Sequence, residues 1–394
     1  METAKVTISA GPHDRHFVPI RTRIPVPEGA RSAVVEPYAA NPPKKGYIPA
    51  PAVVAQLGER GADGTAEVTF ILPYLARNAA ATFQITFLPS QADEKAILAP
   101  QPDGDIEITI SGTRLGRYHA DKKWARPFLH PVMGPFGHSV TRGWPVEPRE
   151  NESQDHHHHK SLWVAHGSVN GVDNWSEETG HGKQIQKQVL SCQSGPVFGV
   201  LETVNDWVDN SGKKVCEDRR KWCFWAMPQG LRMVDLEVEF RATEGPVVFG
   251  DTKEGGIIAV RVATCMDVPR TGRITNADGG TNEPETWGKR SPWCDYSGLD
   301  EGGNEVGIAL FNHPKSFRYP TYWHVRNYGL MTANPFGLSE FYGDKSRNGS
   351  HTLGAGETLV FAYRVYVHAG DVVGGQVADA FHGYINPPSV SVVP

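Results

Sequence analysis

The chain has no apolar run approaching the ~20 residues that a membrane-spanning helix needs, which excludes an enzyme built on transmembrane helices. Clustered positive charge is also missing. Its 39 Lys and Arg, against 44 Asp and Glu, are spread along the sequence at a net charge of −5. Nucleic acid selects a basic footprint, and none is present. Cysteine is scarce: Cys192, Cys216, Cys223, Cys265 and Cys294 are widely spaced and form no C-x-x-C. A disulfide framework and a cysteine zinc site are therefore not expected. The opening METAKVTISAGPHDRH carries no apolar signal core, so a cytoplasmic location is expected. Without G-x-S-x-G there is no α/β-hydrolase nucleophile. Without a Rossmann fingerprint no nicotinamide or flavin site is expected. No internal repeat of fixed period is visible.

Strand patterning dominates what is there. Ala66–Leu72, Asp105–Ile110, Val234–Phe240 and Leu359–Val367 place apolar residues at every second position or are rich in β-branched residues. Gly256–Val262 and Val306–Phe311 read as buried strands, and Gln376–Tyr384 is the one helix candidate. With 42 Gly and 30 Pro punctuating the strands, the expected class is all-β with few helices. The polar stretch 89–104 separates two units. Residues 1–100 are expected to form a small immunoglobulin-like β-sandwich, and residues 105–386 a large antiparallel β-sandwich that carries the site. The tail from Asn386 onward is expected to be loosely held.

Chemistry concentrates between Arg126 and Trp175, where His130, His138, His156, His157, His158, His159 and His166 lie. If the run at 156–159 is extended, His156 and His158 share one face and His157 and His159 the other. One pair could then bind a metal or exchange protons, with His130, His138, His166 or Asp155 completing a ligand set. An exposed loop with incidental histidines is the alternative. Asp155 either orients an imidazole or caps a turn. Lys253 and Glu254 follow a buried strand inside Gly250–Gly255 and serve as general acid or base, or else form a solvated turn. That glycine spacing is not a P-loop. Tyr322, His324 and Arg326 share a face if 322–326 is extended, giving a polar, partly aromatic wall of the kind that sugar sites need. A structural corner around a satisfied histidine is the alternative. Trp144, Trp163, Trp175, Trp287 and Trp293 lie in turn-rich polar segments.

Taken together, the motifs R-P-F-L-H-P, D-H-x-H-H-K-S-L-W, F-G-D-T-K-E-G, W-G-K-R, W-x-D-Y-S-G, P-T-Y-W-H-x-R-x-Y-G and A-N-P-F-G resemble the bacterial PmoA-like family, labelled methane oxygenase, over about residues 105–370. The resemblance implies a large domain similar in outline to the galactose-mutarotase supersandwich, and a sugar-directed role beside sugar oxidoreductases. It carries over Arg126, Asp155, His156, His158, His159, Lys160, Trp163, Asp251, Lys253, Glu254, Lys289, Asp295, Tyr322, His324, Arg326 and Asn334. His157 stands where a proline or variable residue is expected.

The leading expectation is a carbohydrate-active enzyme acting on a glycoside or an oxidised (keto) sugar by His/Lys acid–base or metal-assisted chemistry, of lyase, hydratase or hydrolase type. His156, His158, His324, Lys253 and Glu254 are the expected catalytic residues. Arg126, Trp163, Asp251, Asp295, Tyr322, Arg326 and Asn334 are expected to bind substrate. One divalent ion, Zn, Mn or Fe, is expected at His156, His158 and His159. Two further readings are a non-catalytic sugar-binding or scaffold partner of a sugar oxidoreductase, and a metal-dependent oxygenase. The expected partners are a sugar or glycoside and a sugar oxidoreductase, with no nucleic acid and no membrane.

Overall fold

Period-two patterning becomes strands almost wherever it occurs in the computed structural model, which describes residues 2–38, 51–228 and 230–393. The segments read as strands are found at Thr65–Leu75, Ile106–Ile110, Leu231–Arg241, Gly255–Arg261, Glu305–Asn312 and Thr358–Ala369, and the helix at Val377–Ile385. Named strand pairs are antiparallel throughout, so the chain is all-β with few, short helices.

The first six strands, Thr3–Ser9 to Ala80–Leu88, form one seven-stranded sheet with the C-terminal strand Ser389–Val393. Its inward residues, among them Val6, Ile20, Val68, Phe70 and Ile85, make a core of their own. The expectation of a loose tail is corrected. Ser389–Val393 pairs with Thr3–Ser9 in register, because its alternating Ser and Val fit an edge strand. Ala96–Pro100, grouped with the N-terminal unit by sequence, pairs instead with Ile106–Ile110 at the edge of another sheet.

Two eight-stranded sheets face each other across the main core. One runs from Lys183–Gln193 to Arg273–Asn276, the other from Trp323–Val325 to Ala96–Pro100. Leu201, Trp222, Leu236 and Phe361 of the first meet Ile108, Leu129, Leu162 and Val260 of the second. The second sheet also carries apolar residues on its outer face: Phe128, Trp163, Ala259 and Leu330 pack there with Trp175 and Tyr328. Alternation along a strand does this, with Leu162 and Val164 inward and Trp163 and Ala165 outward. That outer face is the floor of the candidate site.

Candidate functional site

Histidines 156–159 form a turn, not a strand. His156 takes a left-handed backbone, φ 45°, and the His159 N–H donates to the His156 carbonyl at 2.9 Å. The expected pairing of 156 with 158 and 157 with 159 is therefore corrected. His156, His158 and His159 all line one cavity of 430 Å³, while His157 is exposed and is not part of the lining. A non-glycine residue at positive φ is costly and is kept where its surroundings over-determine it. Two buried arginines do so here. Arg142 donates to the His156 carbonyl at 3.0 Å, and Arg126 to the His158 carbonyl at 3.2 Å and the Trp175 carbonyl at 2.8 Å.

Asp155 orients an imidazole, the first of its two anticipated roles. Its Oδ2 lies 2.8 Å from His156 Nδ1. A carboxylate accepts only, so Nδ1 carries a hydrogen, and in the neutral ring the lone pair is left at Nε2. The other oxygen, Oδ1, accepts from Arg142 at 2.5 Å, Arg261 at 2.8 Å and the Ser153 hydroxyl at 2.7 Å. Burial alone would raise the Asp155 pKa. The hydrogen bonds from His156 and Ser153 and the charges of Arg261 and Arg142 outweigh it and hold the carboxyl well below the carboxylate range. His156 is clasped between rings in a ladder of near-parallel planes: Tyr328 at 4.9 Å, then His156 to His159 at 4.8 Å, then His159 to Trp163 at 5.5 Å.

Burial favours the neutral form of His158, His159 and His324. Burial, with the nearby Arg126 charge and the neighbouring histidines, pushes His158 down to about 2. Burial and the Arg326 and Lys253 charges push His324 down to about 3. Burial also lowers His159 well below the ordinary range, and its Nδ1 accepts from Arg261 at 3.2 Å. His324 sits between the inward Trp323 and Val325 and so faces outward, into the cavity. Its Nε2 accepts from Arg326 Nε at 3.2 Å.

Lys253 and Glu254 pair with each other and line the same cavity. Their loop is held from below: Asn334 Nδ2 donates to the carbonyls of Thr252 and Lys253 at 2.9 and 3.1 Å. The Asp251 carboxylate caps the backbone N–H groups of Ser339 and Gly349.

Of the expected catalytic set, His156, His158, His324, Lys253 and Glu254 are thus brought together, and Arg326 joins them. The other expected substrate-binding residues do not line this cavity. Arg126 is buried against Glu177 at 3.0 Å and holds the histidine turn. Trp163 is buried behind His159. Asp251 and Asn334 shape the Lys253 loop. Asp295 belongs to the other sheet, fully buried against His368 Nε2 at 2.8 Å. Tyr322 turns away to stack on Phe341 and meet the Tyr342 hydroxyl at 3.2 Å. Lys160 is buried against Glu177, and Lys289 is exposed outside the lining.

Of the proposed third ligands, Asp155 is already engaged by His156, Arg142, Arg261 and Ser153. His166 bonds the Gly250 carbonyl at 2.9 Å, and His130 is buried near Glu147. Among the described residues no group of three His, Cys, Asp or Glu side chains is arranged to hold a metal ion. His156 and His159 are stacked, with planes 4° apart.

The cavity also contains Trp175, Ser176 and Tyr328, which sequence reasoning did not assign to a site. Tyr328 stands two residues beyond Arg326 in the same quoted motif. The turn that returns it to the site needs Gly329: at φ 99°, a Cβ there would lie 2.4 Å from Asp267 Oδ1. Arg261, which helps anchor Asp155, carried one signal: a lone charge ending the apolar strand GGIIAVR. Chemically the arrangement offers one accessible oriented imidazole, two cations and two aromatic faces.

Residues 105–382 match the family of unknown function DUF6807, and the chain belongs to that family. This corrects the resemblance to a PmoA-like family: no such family is matched, and the oxygenase reading loses the label that supported it. No curated protein matches the chain. Among solved structures it is similar to a protein of glycosyl hydrolase family 38 from Enterococcus faecalis, with a TM-score of 0.42 and 10% identity, over 100% of this chain and 47% of that one. It is also similar to an alpha-mannosidase from Enterococcus faecalis V583, with a TM-score of 0.40 and 10% identity, over 100% and 46%. The chain spans about half the length of these proteins. No helix among the described residues is long and apolar enough to cross a membrane.

Proposed function

We propose that this member of the DUF6807 family is a carbohydrate-active enzyme that removes a proton from a keto-glycoside, with His156 as the base. The observation that carries the reading is the Asp155–His156 pair. A carboxylate anchored by two buried arginines fixes the imidazole tautomer, inside a 430 Å³ cavity that also presents Lys253, Arg326, Trp175 and Tyr328. A sugar ring has an apolar C–H face and a rim of hydroxyls, which suits aromatic rings beside fixed polar groups.

The chemistry constrains where the carbonyl sits. For the anomeric substituent to leave by β-elimination, the electron pair comes from the C2–H bond, and a carbonyl at C3 acidifies that bond. His156 Nε2 takes the C2 proton. The electrons form the C1–C2 double bond as the C1–O bond breaks; the departing oxygen takes a proton from water, and His156 returns its own to solvent. Negative charge passing to the departing oxygen is offset by Arg326 and Lys253, the latter held by Glu254. The neutral His158, His159 and His324 leave that field to the two cations.

The test is release of phenol from phenyl 3-keto-glucoside, -galactoside and -mannoside, by wild type and His156→Ala side by side. Release by wild type that drops at least about a hundredfold in the variant supports the reading. Binding without release, by both proteins, would transfer the site to a sugar-binding role.

A further inference from the structure

Beside the His156 cavity lies a second hollow of 600 Å³, lined by Glu283, Trp287, Asn327 and Glu340 together with Lys253 and Arg326. Lys253 and Arg326 also line the first. The two hollows are therefore chambers of one cleft, joined at a cationic waist. Each is within the ~300–1,000 Å³ that small-molecule sites occupy, and their chemistry differs. The first holds the imidazoles of His156, His158, His159 and His324. The second holds none, and offers instead two carboxylates, an amide and an indole.

The indole is fixed. Phe341 meets Trp287 edge-on at 5.4 Å, and the Arg326 guanidinium lies 5.3 Å from its ring. Its Nε1 is buried without a partner among the described residues, a donor left free. Glu283, on the short helix that leads into Trp287, accepts from Arg326 at 2.5 Å and from the Asn327 N–H at 2.9 Å, so it ties the waist to the second chamber. Aromatic surface continues outward, from Phe341 to Tyr322 stacked on it at 5.7 Å and to the half-exposed Tyr342.

We infer that the cleft is built for a two-ring glycoside. The ring that loses its proton occupies the His156 chamber, the glycosidic oxygen sits at the Lys253–Arg326 waist, and a second ring with an apolar face lies on the Trp287 side. The inference rests on the keto-glycoside reading and extends it to the leaving group. It places the oxygen that gains negative charge as the C1–O bond breaks between the two cations shared by both chambers. A sugar and an aryl group both supply such a second ring.

Binding is measured by calorimetry in a His156→Ala background, which keeps the ligand intact. The probes are methyl 3-keto-glucoside, phenyl 3-keto-glucoside and the glucosyl 3-keto-glucoside disaccharide. Either two-ring probe is expected to bind about tenfold or more tightly than the methyl probe. Adding Trp287→Ala should erase that advantage and change methyl binding less than about threefold. Glu340→Gln, a milder change at the same chamber, should weaken the disaccharide and spare the phenyl probe. Preference for the disaccharide identifies a sugar as the second ring, and preference for phenyl an aryl group. Equal affinity for all three probes, or an equal loss for all three in Trp287→Ala, overturns the inference while phenol release by wild type still stands. Failure of every probe to bind, with no phenol release by wild type, removes the underlying reading and this inference with it.

Discussion

Two regions of this chain bury arginine against aspartate, and they use the pair differently. In the sheet that contains Lys214–Trp225, Asp218 and Arg220 are both 0% exposed. Asp218 also accepts from Asn205 at 2.7 Å and the Trp207 indole at 2.6 Å, and Arg220 reaches Gln184. At the cleft, Arg142 and Arg261 are as deeply buried, but the Asp155 side chain is 39% exposed and passes one oxygen to His156. The closed pair has no one to hand its field to and serves to hold strands together. The half-open pair exports orientation to a side chain that solvent and ligand can reach. Buried charge alone is thus no mark of a site; what marks it is a satisfied anchor with one unspent valence facing a cavity.

The comparison can be broken in four ways. The largest effect is expected from Arg220→Ala, which strands Asp218 in the core and should cost about 3–5 kcal/mol of folding stability, read by denaturant unfolding. A variant as stable as wild type would mean that the closed pair contributes nothing. Next, His156→Ala should lower turnover by about 10²–10⁴ with a stability change under about 1 kcal/mol, since the ring is partly exposed and accepts no buried donor. Third, His158 at about 2 and His324 at about 3 are depressed from the ~6.5 of an unfolded histidine. Between those values the unfolded chain binds the extra protons, so stability falls as pH drops through that window. Tm should decline from pH 7 to pH 5, and His324→Gln should flatten the slope; an unchanged slope would show that this ring does not stay neutral.

The fourth effect carries the opposite sign. Burial pushes the Asp267 carboxyl up to about 7, with Arg261 opposing and Asp155 adding to the rise. Here the folded chain binds the extra proton between ~4 and ~7, so this contribution is lost as pH rises. Asp267→Asn should gain in Tm relative to wild type between pH 5 and pH 8, and a constant difference across that range would place its carboxylate in the charged state throughout.

The fold was legible because it depends on period-two burial, which short windows of sequence display. Ile106, Ile108 and Ile110 announce their strand without any knowledge of partners. The cleft was legible in part. The His156–His159 run, Lys253, Glu254, His324 and Arg326 are chemistry-bearing residues in turn-rich or polar settings, and they do meet. What failed was geometry that depends on distant donors. Nothing local to HHHH reveals a left-handed His156 held by Arg142, fourteen residues upstream, so the run read as extended. Asp295 and Arg126 misled because a buried charge looks the same in sequence whether it supports or faces a ligand. Trp287 and Tyr328 were visible but given no role, because their placement comes from a short helix and a glycine turn, each set by tertiary packing.

The pairing of Ser389–Val393 with Thr3–Ser9 has a mechanical meaning. The N-terminal sheet is joined to the rest of the chain twice, once through residues 89–95 and once through the segment after Ile385. A single proteolytic nick at residues 89–95 would therefore leave two fragments that still travel together, with the last strand acting as a clasp. A sheet fastened at both ends cannot swing on one hinge. The helix Val377–Ile385, whose His382 carbonyl is bonded by Arg15, serves as the strut between the two fastenings.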